Sequence, residues 1–146
     1  MKPIEVSLLN NKGKEKVYKL GIGTRETVQL EKDLGTNIMG EYLEYIFQVS
    51  QIQQDIDNGN INEENAMSIL GAVQGLSMEY IVTILHRALS KYDNKNTIDT
   101  TYDFVDLYME QKEEGKMGIV ALIGEILTEA GFFPKGWIRG GGLRIL

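Results

Sequence analysis

A chain of 146 residues, 42% apolar and 25% charged, is long enough to bury one core without staples and too apolar to stay disordered. It has no cysteine, which excludes disulfides, thiolate zinc sites, iron–sulfur clusters and cysteine nucleophiles together. The net charge of −6 argues against a nucleic-acid binder, which needs a cationic surface.

The charge is unevenly placed. The charged residues after Gly131 are Lys135, Arg139 and Arg144 alone, so the tail carries +3 and the body, with twelve basic against 21 acidic residues, carries −9. No signal peptide is expected from Met1-Lys2-Pro3-Ile4-Glu5-Val6, and no stretch approaches the roughly 20 apolar residues that span a bilayer.

In chain order, Ile4 to Leu9 and Lys16 to Ile22 read as two strands joined by Asn10-Asn11-Lys12-Gly13-Lys14, residues that a hairpin loop favours. A lone hairpin is barely stable, so its apolar face must pack on something. Thr24 is placed to cap a short helix through Leu34, with Val28, Leu30 and Leu34 as its apolar residues and Gly35 as its stop. A longer helix is predicted from about Gly40 to Asp57, with Tyr42, Leu43, Ile46, Phe47, Val49, Ile52 and Ile56 on its apolar face. Asn62 caps a third, ending near Gly75 and weakened by Gly71 and Gly75 at up to about 1 kcal/mol each relative to alanine.

Ser77 to Tyr92 carries the most complete pattern. Ser77 is the N-cap, Glu79 suits the positive end of the helix dipole, and Ile81, Ile84, Leu85, Ala88, Leu89 and Tyr92 form one stripe. The stripe predicts the central core helix around which the others pack. After the polar loop Asp93-Asn94-Lys95-Asn96, Thr97 caps a fifth helix to about Lys112, with Ile98, Thr101, Tyr102, Val105, Tyr108 and Met109 inward. Lys116 to Ala130 is the sixth, apolar almost all round, a profile that belongs to the most buried helix of a domain or to one facing a partner. The expectation is a mainly α fold, a bundle of about six helices with a small N-terminal β-hairpin: one domain over 1–131 and a flexible, basic, glycine-rich tail over 132–146.

Candidate chemistry is thin. Gly21-Ile22-Gly23-Thr24-Arg25 sits where backbone amides could cradle a phosphate, but it lacks the third glycine of a dinucleotide fingerprint and the Gly-Lys-Ser/Thr of a P-loop. A tight turn before a capped helix is the reading it favours. His86, the only histidine, has no titratable neighbour one turn away, as general acid–base or metal chemistry would require. The acidic clusters Asp55/Asp57, Glu63/Glu64, Asp99/Asp103/Asp106 and Glu113/Glu114 lack calcium-loop spacing and read as solvated helix faces. No cofactor and no metal are expected. In the tail, Trp137 and two phenylalanines among glycines and cations read as a partner-binding arm that orders on contact, as a frayed end, or as apolar residues tucked back onto the bundle.

The order of elements resembles the tail assembly chaperones of long-tailed bacteriophages and related prophages. The residues that carry the likeness are Ile4-Glu5-Val6 with Lys16-Val17-Tyr18-Lys19-Leu20, then Thr24 to Gly35, Ile81 to Leu89, and Tyr102-Asp103-Phe104-Val105-Asp106 followed by an acidic turn and an apolar last helix. Coverage is most of residues 4–130. Asn37 to Leu76 is less familiar, and the basic tail lies outside the pattern. The resemblance implies a non-enzymatic protein of the host cell cytoplasm that coats the tape-measure protein, keeps it soluble and helps recruit tail-tube subunits. Members of that family often make a longer product by ribosomal frameshifting. Together with the all-round apolarity of the last helix, the resemblance makes Met117, Val120, Ile123, Leu127, Phe132, Phe133, Trp137 and Ile138 the candidate partner-binding residues, with self-association a further role for the tail. The alternative is a small enzyme or ligand-binding helical domain using the Gly21–Arg25 turn or His86.

Overall fold

The structure is a computed structural model that describes residues 2–62, 64–65, 76–133, 138–139 and 142–143. It is mainly helical with a small antiparallel hairpin at the N-terminus. The strands are β1 (Ile4–Leu9) and β2 (Glu15–Leu20), in a register that pairs Ile4 with Leu20 and Leu9 with Glu15. Five helices follow among the described residues: α1 (Thr24–Leu34), α2 (Ile38–Asp57), α3 (Met78–Ser90), α4 (Ile98–Gln111) and α5 (Lys116–Glu129). The helix expected between Asn62 and Gly75 lies outside the described residues.

Local signals place most of the ends. The Ser77 hydroxyl accepts from the Tyr80 amide at 3.0 Å, and Thr97 and Thr100 exchange side-chain-to-amide bonds at 3.1 and 2.8 Å. Gly35 ends α1 at φ 66°, a left-handed conformation that suits glycine. Two starts differ from expectation. Gly23, not Thr24, is the cap of α1, because the Glu26 carboxylate accepts its amide at 2.8 Å. Helix α2 begins at Ile38 because the Asn37 side chain accepts from Gly40.

Helix α3 is the hub, touching α1, α4, α5 and β2. Its stripe Ile81, Ile84, Leu85, Ala88 and Leu89 is buried, as expected, and Tyr80 and Val82 join it. Tyr92, expected in the same stripe, is 37% exposed and lies against Gly21 at the end of the hairpin. The hairpin supplies a lid. Val6, Leu8 and Leu20 face the bundle, and the Tyr18 ring meets Phe104 edge-on at 4.9 Å.

On three helices the expected face is buried in part, with single residues displaced: Tyr42, Ile46 and Ile52 of α2 and Leu30 of α1 are buried as expected. On α4 Thr101 and Val105 are buried as expected and Phe104 joins them, fully buried, whereas Ile98 and Tyr102 face solvent. On α1 Thr27 and Leu30 are buried and Val28 is exposed, and on α2 Phe47 is exposed. In each case the apolar residue left outside lies beside the stripe that a neighbour covers, and a helix can bury only the arc its neighbours reach.

The core also runs past the expected boundary at 131. After α5, Gly131 at φ 89° turns the chain, with the Phe132 amide bonded back to the Leu127 carbonyl. That turn brings Phe133 into the core, its ring 6.2 Å from Tyr42, with Phe132 partly buried beside it. Within the stretch expected to be a flexible tail lie two short strands, β3 (Ile138–Arg139) and β4 (Gly142–Leu143), paired antiparallel and lying against α5 and α2 respectively.

Candidate functional site

The last helix is a core element. Val120, Ile123 and Leu127 are fully buried in this chain's own core, and Phe133 is buried with them, at 4% exposure. The docking face that sequence reasoning assigns to them is therefore not a surface, and that assignment is corrected. The all-round apolarity has an internal cause, since α5 is covered by α3, α4, β1 and β3 and by the Tyr42 side chain. The Tyr42 hydroxyl donates to the Val120 carbonyl at 3.0 Å, and burial raises that hydroxyl's pKa well above its ordinary value. Of the helical candidates only Met117 is exposed, where its sulfur accepts from the Tyr45 hydroxyl at 3.4 Å. Ile138 begins β3, and Trp137 lies outside the described residues.

The Gly21–Arg25 turn holds no open anion cradle. The Gly21 amide donates to the Ala88 carbonyl, and the Gly23 amide donates to Glu26 Oε1. The Glu26 carboxylate occupies the place at the helix start where a phosphate would sit. Burial alone would raise its pKa, but hydrogen bonds from Lys91, at 2.7 Å, and from Gly23 outweigh that and hold it below the usual range.

His86 is half-buried on α3. Burial and the neighbouring Arg87 keep its pKa low, against a smaller opposing pull from Asp33. Arg87 is itself engaged, its guanidinium bonded to Asp33 Oδ2 at 2.7 and 3.2 Å, so the pair ties α3 to α1. Among the described residues no group of three or more His, Asp or Glu side chains is arranged to hold a metal ion. Asp55 and Asp57 accept from Gln51 and Gln53, one turn earlier on α2.

A groove of about 950 Å³ lies between β2, the C-terminal end of α3 and the outer side of α4. Its floor is Tyr18, Leu89, Tyr92 and Leu107, its strand wall runs from Lys16 to Lys19, and its helical wall carries Asp103, Asp106 and Glu110. Asn96 closes one end and fixes the α3–α4 turn. Its amide nitrogen donates to Ser90 Oγ and Thr101 Oγ1, both at 3.1 Å, while its oxygen accepts from Thr100. Sequence reasoning missed this groove because it is built from segments far apart in the chain. The carboxylates of α4 were the one legible part. A shallower hollow of about 630 Å³ lies between the α4–α5 turn and Glu125, whose pKa is raised by burial and by Glu129.

No family model, no curated protein and no solved structure matches the chain. Among the described residues no helix is long and apolar enough to cross a membrane.

Proposed function

We propose that the protein is a tail assembly chaperone of a long-tailed bacteriophage or prophage, which binds the tape-measure protein, keeps it soluble and helps recruit tail-tube subunits. What supports the reading is the order of elements on which the resemblance rests. A hairpin leads into a short capped helix, then a long one, the central Ile81–Leu89 helix, the Tyr102–Asp106 helix, an acidic turn and an apolar last helix. The same reading counts a further helix over residues 62–75 and places the protein in the host cytoplasm. The tape-measure contact falls on a surface other than Val120, Ile123 and Leu127, which the core uses.

Co-expression with a tape-measure protein of a long-tailed phage tests the proposal. The expected outcome is a soluble complex that co-purifies. A tape-measure protein as insoluble with this partner as without it overturns the reading.

A further inference from the structure

The phase of the hairpin ladder can be read from the bonds around it. The Leu9 amide donates to Gln111 Oε1 at 2.8 Å, and the Leu9 carbonyl accepts from Gln111 Nε2 at 2.7 Å, so both Leu9 groups point away from β2. In an antiparallel pair, residues that face the partner alternate with residues that face away. Glu15, Val17 and Lys19 sit opposite Leu9, Ser7 and Glu5, and therefore turn their N–H and C=O groups outward from the other edge. Two bonds fit that phase: Asn10 N–H donates inward to Lys14, and Gly21 N–H donates outward to Ala88.

The two edges are finished differently. Gln111 plugs the β1 edge at Leu9 with a side-chain amide that imitates a third strand. The β2 edge is tied down only beyond its end, at Gly21, and the outward groups of Val17 and Lys19 have no protein partner among the described residues. They border the 950 Å³ groove. Outward residues recur about every 6.8 Å along a strand, at about 3.4 Å per residue, and an open row of that kind is a template for another strand. Its alternating donors and acceptors match a polypeptide backbone.

We propose that the β2 edge is a docking site for an extended segment of a partner polypeptide, with Lys or Arg at the alternate positions that turn toward α4. The charge follows from the far wall. Asp103, Asp106 and Glu110 form no ion pair among the described residues. Lys16, Lys19 and Lys95 also line the groove, with the Lys16 ammonium over the Tyr18 ring at 4.8 Å, but the α4 wall itself carries Asp103, Asp106 and Glu110 and no cation. A trough bounded by α3 and α4 admits one strand more easily than a second hairpin with its bundle attached. Strand addition of this kind takes affinity from the backbone and selectivity from alternate side chains. The inference does not rest on the chaperone reading.

The test titrates the full-length, isotope-labelled protein with three short acetylated peptides. One alternates lysine with threonine, one alternates glutamate with threonine, and one is the lysine peptide N-methylated on the amides that would face the edge. The lysine peptide should shift the Val17 and Lys19 amide resonances and slow their hydrogen exchange, and the other two should not. Asp103→Asn with Asp106→Asn should weaken that binding by about tenfold, the combined effect of two exposed ion pairs. Lys19→Pro should abolish it, because proline removes an outward donor and leaves the β1–β2 bonds in place. Should that variant fail to fold, the N-methylated peptide makes the same comparison on the intact protein. Absence of any shift at this edge, or equal binding by the N-methylated peptide, overturns the proposal. So does a concentration-dependent dimer that protects the same amides without peptide, since a second copy would then be the occupant.

Discussion

Truncating Leu85 to alanine is the sharpest probe of the hub assigned to α3. The side chain is fully buried in the middle of the stripe that faces α1, α4, α5 and β2. The change deletes three buried carbons, a transfer loss of about 2.4 kcal/mol at about 0.8 kcal/mol per methylene. A vacated space of about 50 Å³ adds roughly 1 kcal/mol more at about 24 cal/mol per Å³. The expected cost, about 3.5 kcal/mol, is a large share of the roughly 5–15 kcal/mol that holds a domain together. Urea titration followed by circular dichroism measures it, with the slope unchanged and the midpoint lowered. For a chain of this length the melting temperature should fall by about 10 °C. Phe47→Ala is the control. That ring is 51% exposed, and its loss should stay within about 0.5 kcal/mol. A Leu85→Ala cost as small as the control's would show α3 to be peripheral and refute the packing argument.

Other expectations follow from single contacts. Tyr80→Phe removes the buried hydroxyl that donates to the Ile38 carbonyl and joins α3 to the start of α2, and should cost about 1 kcal/mol in the same titration. Gln111→Ala should speed hydrogen exchange at the Leu9 amide while leaving Val6 protected, because only the end of the β1 edge loses its partner. Glu26 has a folded pKa below its ordinary 4.5, so its contribution to stability is present above that value and lost as pH falls through the folded pKa. Melting temperatures of wild type and Glu26→Gln should therefore differ at pH 7 and converge in acid. Glu125 is shifted the other way, so stability should decline as pH rises from about 4.5 through its raised folded pKa. Glu125→Gln should remove that decline in a pH series of melts.

What the sequence determined by itself is local. The Ser77 and Thr97 caps, the Gly35 stop, the Asn10–Lys14 loop and the buried stripe of α3 were legible because each depends on groups within one or two helical turns or on a fixed spacing. Tertiary structure decided whatever depends on which neighbour covers a surface. An α5 helix that is apolar on all sides has no preferred face, so its sequence fits a core and a docking surface equally well. The hairpin, α3, α4 and the Tyr42 hydroxyl make it core. The same dependence turned Phe104 inward and Tyr102 outward on α4 and drew Phe133 past the expected boundary. It also finished one hairpin edge and, among the described residues, left the other open. Gln111 meets Leu9 across 102 residues, and no periodicity in either segment encodes a contact that exists only once the bundle has closed.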